Sequence, residues 1–115
     1  MDNNWQAQAN KFALERNLDR PASVYALDVM SELGEVAKEI LLASDYGSHL
    51  PEFGPNLESE LGDLLYSICM LASSSEVDLE MAFSKTLDKY DRRWRSAENP
   101  GRQAARSTKR KPHTG

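Results

Sequence analysis

Apolar residues recur along this chain every three or four positions and nowhere alternate over the length a strand needs, so the pattern predicts helices alone. A first amphipathic segment runs from about Asn3 to Asn17, with Trp5, Ala9, Phe12 and Ala13 on one side. Asp19, Pro21 and Ser23 supply breaker and cap chemistry for a second, which reaches about Ser44 and carries Val29, Leu33, Val36 and Ile40 as its core stripe. Gly47, Pro51, Gly54 and Pro55 punctuate a loop over residues 45–55. Asn56 stands where a cap for a third helix is needed, and Leu57, Leu61, Leu64, Leu65, Ile68 and Leu71 face inward up to the polar break at Ser73, Ser74 and Ser75. Asp78 stands in the same relation to a fourth, with Leu79, Phe83, Leu87, Tyr90 and Trp94 along one side. Short connections between four stripes predict an all-α, antiparallel four-helix bundle spanning residues 1–97. The stripes are wide for so small a chain, so helix packing between copies is expected.

Charge changes the picture at the C-terminal end. Residues 98–115 hold one acid and five bases, within a chain of net charge -4, so residues 1–97 are strongly acidic. That tail has no apolar periodicity and is predicted to be a disordered basic extension, with nucleic-acid contact a weaker reading. The 40% hydrophobic and 28% charged fractions are those of an ordinary soluble domain, and no apolar run approaches the ~18 residues a membrane span requires. No basic start and apolar core follow Met1, so a cytoplasmic location is expected. Cys69 stands alone in an apolar run and is read as a small buried hydrophobe, not a nucleophile.

The chemistry-bearing pattern is a phrase that occurs twice: Glu32-Leu33-Gly34-Glu35 and Glu60-Leu61-Gly62-Asp63. Each puts two carboxylates three residues apart, hence side by side on one helix face. Each also accepts a glycine in a helix interior, at a cost of about 1 kcal/mol relative to alanine, which predicts close backbone approach there. Asp28, Glu32, Glu35 and Glu39 form one continuous acidic face, and Lys38 is the only base between Arg20 and Lys85. The salt-bridge lacing of an ordinary exposed helix is therefore missing. Antiparallel packing of the two helices would bring the pairs together, where like charges about 4 Å apart repel by roughly 4 kcal/mol at an effective dielectric near 20. A divalent cation would cancel that repulsion, and all-oxygen ligation suits magnesium or manganese rather than zinc. Neither His49 nor His113 lies at helical spacing from these acids, which argues against a di-iron centre of the Glu-x-x-His kind. On the fourth segment Lys85, Lys89 and Arg92 step by four and three, with Arg93 beside them; this face is either solvated or a polyphosphate grip.

These residues resemble the MazG-like, all-α nucleotide pyrophosphohydrolase superfamily, whose motif is Glu-Glu-x-x-Glu, a variable spacer, then Glu-x-x-Asp. Here Ser31 stands at the first glutamate, Glu32 and Glu35 follow, and 24 residues later come Glu60 and Asp63. Residues 12–18, Val77-Asp78-Leu79 and Arg92-Arg93-Trp94 are similar to the branch that includes dCTP pyrophosphatases, which also lacks that first glutamate; Tyr90 stands near a position where the family often has asparagine. The resemblance implies hydrolysis of a nucleoside triphosphate, on a deoxynucleotide, to a monophosphate and pyrophosphate. It further implies Glu32, Glu35, Glu60 and Asp63 as ligands of Mg2+, for which Mn2+ substitutes, with Glu32 and Glu35 catalytic. Lys85, Lys89, Arg92 and Arg93 would grip phosphate, Trp5 and Phe12 would stack the base, and the protein would be a homodimer or a dimer of dimers. Two other readings stay open: a non-catalytic helical oligomerisation module, and a nucleic-acid-associated protein acting through its tail.

Overall fold

The computed structural model describes residues 4–98, and these contain four helices and no strand: α1 (Trp5–Glu15), α2 (Ala22–Ala43), α3 (Pro55–Ser74) and α4 (Leu79–Glu98). The all-α prediction holds. The predicted basic tail lies outside the described residues apart from Glu98, which ends α4.

The starts of α2 and α3 depart from the caps expected of the sequence. Asn4 caps α1, its Oδ1 accepting from the Ala7 N–H at 3.0 Å. Neither Asp19 nor Ser23 caps α2, which begins after extended Pro21 with no side-chain cap. Asn56 lies inside the first turn of α3, whose cap position is Gly54. Pro55 explains the shift: its fixed φ and missing N–H suit the first helical position. Helix α3 ends at Ser74, inside the expected serine break, where the Ser74 hydroxyl donates to Leu71 O at 3.0 Å.

The first three helices end alike. Asn17, Asp45 and Glu76 each take a left-handed conformation two residues past the last helical one, at φ 54, 49 and 58. The next N–H then reaches back to the helix: Leu18 to Ala13 O at 2.8 Å, Tyr46 to Leu41 O at 2.7 Å and Val77 to Ala72 O at 2.8 Å. These are Schellman motifs built without glycine.

The described residues divide into two compact units, which part between Leu79 and Glu80. In the first, α1 and α2 both pack on α3 around Ala13, Tyr25 and Met70, with Ala9, Tyr66 and Leu71 against them. Cys69 and Ala72 of α3 are buried too, and burial pushes the Cys69 thiol up from its ordinary pKa. The Tyr25 hydroxyl donates to Leu18 O, tying the start of α2 to the end of α1. The Glu52 N–H donates to Ala43 O at 3.0 Å, folding the loop back so that α3 runs antiparallel to α2. In the second unit no residue of α4 is buried, and Phe83, Leu87, Tyr90 and Trp94 stand exposed.

The core is narrower than the hydrophobic stripes imply. Leu33 of α2 and Leu61 of α3, both expected inside, are about half exposed, as is Phe12 of α1, and Trp5 is largely exposed. Half-buried Glu32, Glu39 and Glu60 share the inner side of α2 and α3 instead. The close backbone approach expected at the interior glycines is absent among the described residues: a Cβ at Gly34 or Gly62 would meet nothing within 4 Å there.

Candidate metal centre

Glu32 reaches this centre from the middle of α2, and Glu60 and Asp63 from the early turns of α3. Antiparallel pairing makes the meeting possible: Glu32 lies about three turns before the end of α2, and the α3 pair up to two and a half turns past its start. One carboxylate oxygen from each of the three lies within 4.8 Å of the others. Glu32 and Glu60 are half-buried, whereas Asp63 is exposed at the rim. The ion pairs of the described residues, Lys11 and Arg16 with Glu15 and Arg95 with Asp91, involve none of the three.

Like charges held this way perturb one another. The Glu60 carboxyl is pushed above its ordinary pKa, first by partial loss of water and then by the charges of Asp63, Glu32, Glu35 and Glu39. Both helices therefore bear on this one group, and what it lacks is a positive charge.

The donor set fits a hard cation. Oxygens on a common magnesium stand about 2.1 Å from it and thus at most about 4.2 Å apart, so a separation of up to 4.8 Å needs only small side-chain rotations to close. No sulfur or imidazole competes in the cluster, which disfavours zinc.

The remaining candidates from the sequence fall in three places. Glu35 is outside the close trio, although its charge reaches Glu60. Trp5 is exposed at the start of α1. Phe12 meets Tyr66 edge-on at 6.1 Å, and the Arg16 guanidinium covers its ring at 4.0 Å, a cation–π contact that sequence spacing alone did not suggest. Lys85, Lys89, Arg92 and Arg93 lie on α4, all exposed, with the Lys89 ammonium 5.5 Å from the Tyr90 ring. None of these four joins an ion pair among the described residues.

The fold and the cluster together define an all-α protein with a carboxylate centre shared by two antiparallel helices. The model of the MazG nucleotide pyrophosphohydrolase domain matches residues 21–96, and the chain belongs to that family. No individual curated protein and no solved structure matches it. Among the described residues, no helix is long and apolar enough to cross a membrane.

Proposed function

We propose that this protein hydrolyses a nucleoside triphosphate, by preference a deoxynucleotide as in the dCTP pyrophosphatase-like branch, to the monophosphate and pyrophosphate. The observation that carries the reading is the meeting of Glu32, Glu60 and Asp63 with no ion-pair partner among the described residues, in a chain of the MazG family. These three would hold Mg2+, or Mn2+ in its place, and Glu35 would complete the acidic set. When bound, the ion supplies charge neutralisation at the phosphates and acidifies a coordinated water. In the reaction a water oxygen bonds to the α-phosphorus, the bond from that phosphorus to the α–β bridging oxygen breaks, and pyrophosphate leaves. Glu35 takes the proton of the attacking water, because it lies beside the trio without being one of its close members.

Lys85, Lys89, Arg92 and Arg93 are assigned to the triphosphate, where charge-assisted hydrogen bonds are strong. Trp5, with its ring largely exposed, is assigned to the base together with Phe12. The protein acts in the cytoplasm as a homodimer or a dimer of dimers, which accounts for the apolar surface left uncovered on α2 and α4.

Pyrophosphate release from a panel of ribo- and deoxynucleoside triphosphates, with magnesium and with a chelator, tests the reading. Magnesium-dependent release that Glu60→Gln abolishes is the expected result. Release from no nucleotide in the panel would leave a helical module without this activity.

A further inference from the structure

Helix α1 is 11 residues long, and its one buried residue, Ala13, lies about two turns beyond Trp5. A helix this short is marginal in water by itself, so its first turn frays unless something holds it. The residues on either side of Trp5 do so. Asn4 caps the helix through the Ala7 N–H, and its carbonyl accepts from the Gln8 N–H at 3.0 Å. Gln6 reaches across to the end of α3 and the segment after it: its Oε1 accepts from the Leu79 N–H at 2.8 Å, and its Nε2 donates to Val77 O at 2.7 Å and to the Ser73 hydroxyl at 3.3 Å. Both polar atoms of the carboxamide are engaged, and all four residues belong to the first compact unit.

Neither tie uses the indole ring. What they fix is the backbone from which the ring starts, and the face of the ring is left for a ligand. Ordering a frayed turn costs conformational entropy, and a planar ligand that finds the ring already placed is spared that cost. We propose that Gln6 is a positioning residue for the nucleobase: it holds the first turn of α1 against the end of α3, so that Trp5 is in place before the base stacks on it. This role rests on the assignment of Trp5 made above and is independent of the acidic centre and of the basic residues of α4.

The test is a double-mutant cycle on the full chain, read as KM and kcat for whichever nucleoside triphosphate of the panel releases pyrophosphate fastest. Trp5→Ala should raise KM about fivefold or more, the scale of one lost base–aromatic stack. Gln6→Ala should raise KM in the same direction with kcat kept, and the double variant should be no worse than Trp5→Ala, because both remove one contact. Tyr25→Phe loses the tie to Leu18 O at the other end of α1 and should lower Tm without moving KM. In a Trp94→Phe background Trp5 is the sole tryptophan, and Gln6→Ala should lower its fluorescence anisotropy where Tyr25→Phe does not. Should Gln6→Ala lose its helical circular dichroism, Gln6→Glu replaces it under the same criteria, since a carboxylate still accepts from Leu79 but has no donor for Val77 O. A KM raised by Trp5→Ala but not by the Gln6 variant, raised additively in the double variant, or raised equally by Tyr25→Phe overturns this role alone. A KM unmoved by Trp5→Ala, or release from no nucleotide, overturns it together with the assignment of Trp5.

Discussion

Gln6 and Leu79 lie 73 residues apart in the chain and are joined by a hydrogen bond from the Leu79 N–H to the Gln6 Oε1 at 2.8 Å. The other end of the same carboxamide donates to Val77 O at 2.7 Å and to the Ser73 hydroxyl at 3.3 Å. One side chain at the start of α1 thus closes the segment between α3 and α4 from both sides. Gln6→Ala leaves a part-buried N–H and a carbonyl without that partner, so unfolding free energy should fall by about 1–3 kcal/mol. For a chain of this size that lowers Tm by about 4 °C or more, readable by circular dichroism, whereas Lys11→Ala on the same helix, which loses an exposed ion pair to Glu15 at 3.9 Å, should move it less.

Metal should stabilise the fold. An ion that binds the folded cluster and not the unfolded chain contributes about 2.7 kcal/mol at a hundredfold excess over Kd. Tm should therefore climb with magnesium or manganese concentration, and the climb should vanish in Glu60→Gln and Asp63→Asn. Without metal, both variants should melt no lower than the wild type, because a repulsive charge has gone. A melting curve indifferent to either metal would remove the centre.

The raised pKa of Glu60 gives a pH dependence of definite sign. The folded chain holds this proton more tightly than the unfolded chain, where a glutamate titrates near about 4.3. Stability that the protonated carboxyl contributes is present below that value and is lost as pH rises through the folded pKa. Metal-free wild type should lose stability over that interval and Glu60→Gln should not. Magnesium competes with the proton, so its effect on Tm should grow as pH rises through the same range.

Two single changes should stabilise the apo protein. Gly62→Ala adds a methyl group to open space in a helix interior and should contribute about 1 kcal/mol through helix propensity. Glu76→Gly removes a side chain from a left-handed conformation that disfavours it, at φ 58, and should raise Tm as well. Chemical denaturation with an unchanged m value checks both.

Neutralising Lys89 and Arg92 together should weaken kcat/KM about tenfold or more per lost contact, in line with charge-assisted hydrogen bonds to phosphate. Glu35→Gln should lower kcat while leaving the magnesium shift of Tm largely in place, which separates the proton acceptor from the ligands. Removing residues 99–115 should change neither constant. A loss on that truncation alone would move the triphosphate site to the basic tail.

The four helices were legible because a period of 3.6 is a property of each segment alone. Their ends were less so: Asn17, Asp45 and Glu76 do the work usually advertised by glycine, and Pro55 outranks Asn56 as the start of α3. The repeated acidic pairs were visible because i and i+3 spacing places them side by side. That Glu32 rather than Glu35 joins Glu60 and Asp63 depends on how α2 is rotated against α3, which no pattern within one helix encodes. Leu33 and Leu61 mark the same limit, since hydrophobicity says that a residue wants cover and not what covers it. The Gln6 clasp had no local signal at all.

Cys69 offers a use for the thiol that the core encloses. It is the chain's single cysteine, 2% exposed beside Met70, and its raised pKa keeps it in the unreactive thiol form at neutral pH. A thiol-labelling reagent can modify it only when α3 parts from its neighbours, so the labelling rate is a clock for opening of the unit that carries the acidic centre. Followed with and without magnesium, that clock reads metal binding as slower labelling in the unaltered protein, with no fluorophore, no substrate and no substitution required.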